Sequence, residues 1–242
     1  MQITTKITTK RHKKLIYQTK YYVLEEKGFI FMKLQLALDD ISLQDGLALV
    51  EKVQDYIDII EIGSPFIIDE GMHAVRAFKK RFPNKEILAD TKIMDAGEYE
   101  AELTYLAGAD YCTVLGVTDT RTIQGCLEAA KKYNKKVFVD MICVKNIEER
   151  VNQLEEVGVD CLGVHTGVDQ QAMGRTPLED LAQMKKASKK SQVSVAGGIN
   201  LNTVSKYIEL GADIVIVGGG INHAKDPVAA AKALYEKIHQ EI

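Results

Sequence analysis

The stretch Ala89-Asp90-Thr91-Lys92-Ile93-Met94-Asp95 sets two acids around a lysine, where the apolar run Ile87 to Ala89 gives way to helical sequence. If Ile87 to Asp90 is a strand, side chains repeat every two residues, and Asp90 and Lys92 leave the same face at its carboxyl end. A lysine flanked by acids stays charged and offers positive charge to a developing oxyanion. Asp95 lies past the strand, where it could serve that site or cap the helix that follows.

Residues of the same chemical kind recur at the ends of other apolar runs. Asp39 follows Leu34 to Leu38, Glu61 lies in Ile57 to Ile62, Asp140 in Val137 to Met141, and His165 follows Cys161 to Val164. Each alone has an ordinary reading, an acid as a helix cap or a histidine as a hydrogen-bonded core residue. Collected at one point they are costly to hold without use. Glu61 and Asp90 are hard oxygen ligands of the kind Mg2+ prefers, with Mn2+ the alternative, and such a site leaves positions open for water and substrate oxygens. Lewis-acid stabilisation of an enediolate is the matching role. His165, with a reference pKa near ~6.5, is the natural proton carrier at neutral pH.

Two glycine clusters add a different chemistry. Val195-Ala196-Gly197-Gly198-Ile199-Asn200 and Val217-Gly218-Gly219-Gly220-Ile221 each end an apolar run. Glycine lets backbone N–H groups approach an anion, so Gly197, Gly198, Gly218 and Gly219 predict a phosphate site, with tight turns as the competing explanation. Neither cluster contains Arg or Lys, which leaves the phosphate to backbone donors and solvent.

What must position these groups is a unit that repeats from Lys33 onward: a short apolar run, a polar or Gly turn, and an amphipathic helical stretch. The helical stretches are Leu43 to Val53, Glu70 to Arg81, Gly97 to Ala107, Thr120 to Tyr133, Ile147 to Val157, Leu178 to Ser188, Thr203 to Leu210 and Pro227 to Ile238. They alternate with the strand-like runs, completed by Tyr111 to Leu115, Val193 to Ala196 and Ile214 to Val217. Eight such alternations predict an α/β fold, a single-domain (β/α)8 TIM barrel over 32–242, in which catalytic groups gather at the carboxyl ends of the strands. Ala107-Gly108-Ala109-Asp110, Val157-Gly158-Val159-Asp160 and Leu210-Gly211-Ala212-Asp213 read as Gly-capped helix ends leading into the next strand. A doubly wound open sheet uses the same units, but no Gly-rich turn follows the first strand.

The remainder of the chain sets limits. Hydrophobic residues make up 46% and charged residues 27%, with a formal net charge of −3, so nothing in the balance favours nucleic acid or an anionic membrane. Four widely spaced cysteines without a CxxC pair read as reduced thiols in a cytoplasmic protein. No run approaches the ~20 apolar residues that span a bilayer. Residues 1–31 are Thr- and Lys-rich, with a basic cluster from Lys10 to Lys14, and read as a solvated, poorly ordered N-terminal extension.

Asp90-x-Lys92-x-x-Asp95, with Ala37-Leu38-Asp39, Glu61-x-Gly63 and both glycine clusters, resembles the orotidine monophosphate decarboxylase suprafamily over residues 33–242. Glu61-Ile62-Gly63-Ser64-Pro65 and His165-Thr166-Gly167-Val168-Asp169-Gln170-Gln171 are most similar to its aldolase branch. The resemblance implies a Mg2+-dependent aldol reaction of formaldehyde with D-ribulose 5-phosphate. It places metal on Glu61 and Asp90, the enediolate at Lys92, proton transfer at His165, and substrate hydroxyls at Asp39; Asp140, from its place at a strand end, is expected among the substrate-binding residues. It further implies a homodimer in which Asp95 reaches the neighbour's site. The related decarboxylase of 3-keto-L-gulonate 6-phosphate differs after the histidine, having His-Arg-x-Arg where this chain has His165-Thr166-Gly167-Val168, and has an Arg in place of Gly219. The nucleotide decarboxylase departs after Asp95, where its motif continues Ile-Pro. A non-catalytic barrel that only binds a sugar phosphate would need the glycine loops but not the acid, lysine and histidine set.

Overall fold

The computed structural model describes residues 32–239, so the expected N-terminal tail lies outside the described residues. Eight parallel strands form a closed barrel: β1 (Lys33–Leu38), β2 (Ile59–Ile62), β3 (Glu86–Ile93), β4 (Tyr111–Leu115), β5 (Lys136–Asp140), β6 (Cys161–His165), β7 (Gln192–Ala196) and β8 (Ile214–Val217). Each pairs with its sequence neighbours, and β8 closes on β1 through Lys33 opposite Ile214. The connecting helices are α1 (Leu43–Val53), α2 (Ser64–Glu70), α3 (Met72–Arg81), α4 (Gly97–Leu106), α5 (Thr120–Tyr133), α6 (Ile147–Val157), α7 (Val168–Ala172), α8 (Leu178–Ala187), α9 (Val204–Glu209), α10 (Gly219–Asn222) and α11 (Pro227–Ile238). The (β/α)8 barrel expected from the alternation is the observed architecture.

The strands read as continuous apolar runs because both of their faces are covered, one by helices and one by the barrel interior. Inside, Ile59, Leu88, Tyr111, Phe138, Cys161 and Ile214 pack together as a separate cluster. Two residues further along the same strands stand Glu61, Asp90, Thr113, Asp140 and Gly163. The period of two therefore turns an apolar plug into the floor of a polar site, with each site residue resting on a hydrophobic one.

The opposite end of the barrel is built for stability by one repeated device. Asp58, Asp110, Asp160 and Asp213 each accept a backbone N–H from the start of the preceding strand, at Leu34 (2.8 Å), Ile87 (2.9 Å), Val137 (3.0 Å) and Val193 (2.7 Å). Lysines join them: Lys79 and Lys135 lie 2.7 and 2.6 Å from Asp110, and Lys185 lies 3.0 Å from Asp213. Gly108, Gly158 and Gly211 precede three of these acids with positive φ, as expected of helix ends closed in the left-handed region.

Three features differ from expectation. The helix expected over 70–81 begins at Met72, because Gly71 at φ 61° separates it from an additional helix, α2, over Ser64–Glu70. Two further short helices, α7 and α10, follow β6 and β8, outside the eight helical stretches expected. β3 runs on to Ile93 instead of stopping at Asp90, and its register against β4 shifts between Ala89 and Ile93. Among the described residues no helix is long and apolar enough to cross a membrane, and all four cysteines are free.

Candidate active site

The register shift in β3 shapes the centre of the site. Lys92 takes φ 46°, a conformation seldom held by a residue with a side chain. Its N–H leaves the ladder and donates to Thr113 Oγ1 (2.8 Å), while Thr91 Oγ1 donates to Thr113 O (2.9 Å). Thr113 Oγ1 in turn donates to Asp90 Oδ1 (2.8 Å). Asp90 and Lys92 do come together, but through a bulge secured by Thr113 and not by plain strand alternation.

Asp90 is 7% exposed and fully engaged: Ser64 Oγ donates to its Oδ2 (2.9 Å), and Lys92 Nζ pairs with the same oxygen. Lys92 Nζ also lies 3.4 Å from Asp140 Oδ2. That oxygen is 2.9 Å from His165 Nδ1, and Asp140 Oδ1 accepts the Ile142 N–H (2.9 Å). The result is one line of charges, Asp90, Lys92, Asp140 and His165, drawn from β3, β5 and β6. Asp140 was expected to touch substrate. It is 5% exposed with both oxygens committed inside the protein, so its position suits it to orienting the lysine and the imidazole.

Burial works against charge on Lys92, but Asp90 and Asp140 more than offset it and raise its pKa. Burial likewise opposes charge on His165, and the hydrogen bond and charge of Asp140 reverse the outcome, so its pKa also rises. For Asp140 burial pushes upward, and the His165 hydrogen bond and nearby cations bring the net shift below the usual carboxylate value.

Glu61 is the strained member. Burial and the negative charge of Asp90 push its pKa up to about 8, against the pull of a hydrogen bond from Gln35 Nε2 at 2.6 Å. Asp39, exposed as a residue, tucks its carboxyl against Gly63, where an added Cβ would lie 2.0 Å from Oδ1. Its pKa too is raised, by burial of the carboxyl and then by Asp90. Among the described residues no cluster of three or more His, Cys, Asp or Glu side chains is arranged to hold a metal. The pair Glu61 and Asp90 nonetheless suits Mg2+, which binds through one or two carboxylates and keeps several waters. A divalent cation would offset the carboxylate repulsion that now raises Glu61.

The glycine clusters stand together at the same end. A Cβ on Gly220 would lie 2.6 Å from Ile199 O, so the loops after β7 and β8 touch. Gly197 and Gly198 adopt φ 127° and 66°. Asp95 does not join the cluster within the chain: it is exposed, and its Oδ1 accepts the N–H of Ala96 (2.7 Å). The residue capping α4 is Ala96. Sequence reasoning gave no role to Gln35, Ser64 or Thr113. Gln35 and Thr113 carried a legible signal, since each is a polar residue in an apolar strand and in phase with the inward face.

A parallel barrel with acids, a lysine and a histidine at the carboxyl ends of its strands, and glycine loops after the last two, belongs to the class of sugar-phosphate barrel enzymes. The chain belongs to the orotidine 5'-phosphate decarboxylase / HUMPS family, whose sequence profile matches residues 32–234. It is 47% identical over 209 residues to 3-hexulose-6-phosphate synthase of Bacillus subtilis (strain 168), covering 86% of this chain and 100% of that protein. The crystal structure of 3-hexulose-6-phosphate synthase from Salmonella typhimurium superposes with a TM-score of 0.85 at 53% identity, over 86% of this chain and 99% of the other. The crystal structure of 3-keto-L-gulonate-6-phosphate decarboxylase from Vibrio cholerae is similar at a TM-score of 0.76 but only 25% identity, over 86% and 97% of the two chains.

Proposed function

We propose that the chain catalyses the 3-hexulose-6-phosphate synthase reaction, the aldol addition of formaldehyde to D-ribulose 5-phosphate giving D-arabino-hex-3-ulose 6-phosphate. The relatives at 47–53% identity over most of the chain support it. The observation that carries the chemistry is the contact of Asp140 Oδ2 with both His165 Nδ1 (2.9 Å) and Lys92 Nζ (3.4 Å). It holds a base and a fixed positive charge side by side at the barrel mouth.

The residues divide the reaction as follows. His165, with Nδ1 held by Asp140, takes the C1 proton of the sugar phosphate through its free Nε2. Lys92 faces the negative charge that develops on the resulting enediolate. C1 then bonds to the formaldehyde carbon as the C2 carbonyl re-forms, the formaldehyde C=O π bond breaks, and the formaldehyde oxygen accepts the proton that His165 carries. Glu61 and Asp90 would hold Mg2+, which when bound supplies Lewis acidity toward the substrate oxygens. Asp39 bonds sugar hydroxyls, and Gly197, Gly198, Gly218 and Gly219 take the phosphate through backbone N–H groups.

Asp95 acts across a homodimer in this reading. Its exposure supports that role, as do Met94, Tyr99, Leu103 and Leu106, which are 53%, 65%, 44% and 61% exposed around α4 and offer an apolar strip to a second copy. The test is to incubate purified protein with ribulose 5-phosphate, formaldehyde and Mg2+ and follow formaldehyde loss. Decarboxylation of 3-keto-L-gulonate 6-phosphate without formaldehyde loss would replace the reading by the related decarboxylase. Binding of ribulose 5-phosphate with neither reaction would leave a non-catalytic barrel.

A further inference from the structure

The space beside Gly197 and Gly198 is filled by the side-chain amide of Gln171. A Cβ at Gly198 would lie 2.9 Å from Gln171 Oε1, and one at Gly197 would lie 3.5 Å from Gln171 Nε2 and 2.9 Å from Thr166 O. Gly198 thus makes room for this amide, and Gly197 for the Thr166 carbonyl that holds it, requirements separate from any approach of their own N–H groups to an anion. Gln171 Nε2 donates to Thr166 O (2.7 Å), and Gln171 N–H donates to Gly167 O (2.9 Å). Thr166, wholly buried, follows His165 directly and donates its own N–H to Ala196 O (3.3 Å). One side chain therefore joins the end of β6 to the loop after β7.

Few apolar contacts compete with this tie for control of α7. The helix buries none of its residues, Val168 and Met173 at its ends are 81% and 80% exposed, and Gly167 and Gly174 flank it, the latter at φ 82°. An amide anchored to the carbonyl of a buried residue and set against Gly198, itself at φ 66°, restricts the backbone of that loop. Such restriction cuts the ordering cost of presenting N–H groups to a ligand.

We infer that Gln171 is a positioning residue for the phosphate end of the substrate: its amide, fixed by Thr166 O, holds the Gly197-Gly198 loop in its anion-binding conformation. The inference rests on the phosphate site proposed above. It also requires a neutral group there, because a carboxylate at the same place would face the phosphate.

The experiment compares wild type, Gln171→Met and Gln171→Glu in steady-state assays, with inorganic phosphate as competitor against ribulose 5-phosphate. Gln171→Met keeps the length without the hydrogen bond. It should raise both the KM for ribulose 5-phosphate and the Ki for phosphate about tenfold, the scale of one lost hydrogen bond. Gln171→Glu should raise both further, while kcat and the KM for formaldehyde stay within about twofold of wild type in both variants. A fall in kcat with these two constants unchanged, or identical phosphate constants for the Met and Glu variants, would overturn the inference. Absence of competitive inhibition by phosphate in the wild type would instead overturn the phosphate site itself. Because α7 buries no residue, unchanged circular dichroism is expected for both variants.

Discussion

The buried Asp140 Oδ2 stands 2.9 Å from His165 Nδ1 and 3.4 Å from Lys92 Nζ. In the proposed mechanism the pair would fix which imidazole nitrogen faces substrate, since the nitrogen bonded to the carboxylate cannot also serve as the base. It also sets the proton affinity of the ring, because the Asp140 charge more than offsets the burial that opposes a charged imidazole.

Asp140→Asn removes that charge and keeps the burial, so the His165 pKa falls. A base works deprotonated, and the acid limb of kcat/KM against pH should therefore move to lower pH in the variant. The plateau should drop by about 10²-fold as the ring loses its orientation, with His165→Ala at least as low. An acid limb that stays in place would assign it to some other group.

Glu61 connects activity to stability. Its folded pKa of about 8 exceeds the ordinary 4.5, so between those values the folded chain keeps a proton that the unfolded chain has released. Stability then falls as pH rises through that window in metal-free protein. In EDTA, Glu61→Gln should lose less stability than wild type between about pH 5 and about pH 8.5, by about 5 °C in melting temperature or more. Added Mg2+ should raise the wild-type melting temperature more than that of the variant. Parallel curves for the two proteins would refute the assignment.

Thr113 joins Lys92 N–H and Asp90 Oδ1 through one hydroxyl. Thr113→Val keeps the shape and deletes both bonds, leaving a buried N–H and a carboxylate oxygen without that partner. kcat/KM should fall by about 10- to 100-fold, equivalent to about 1.5–3 kcal/mol, as hydrogen bonds to charged groups are worth. Activity at the wild-type level would mean that the bulge holds Lys92 without the hydroxyl.

Asp95 gives a test by complementation. In a mixed dimer of Asp90→Asn and Asp95→Asn subunits, action across the interface leaves one site with both acids intact. Two inactive variants should thus regain activity on refolding together. If each site used its own Asp95, every site in the mixture would lack an acid and none would be recovered.

The sequence by itself determined the barrel, because strands covered on both faces must be apolar throughout, and helices with one buried face must repeat at helical spacing. It also located Asp39, Glu61, Asp90, Asp140 and His165, since polar residues closing such runs stand out against them. The glycine turns before Asp110, Asp160 and Asp213 were legible for the same local reason, a backbone conformation that favours glycine. What only the tertiary structure decided depends on contacts between strands distant in sequence. The bulge that swings Lys92 onto Asp90 is hydrogen-bonded to Thr113, which lies 21 residues later. Gln35 meets Glu61 across 26 residues, and Asp140 meets His165 across 25. The amide of Gln171 against Gly198 is of the same kind, because no periodicity along one chain records which loops barrel closure brings together.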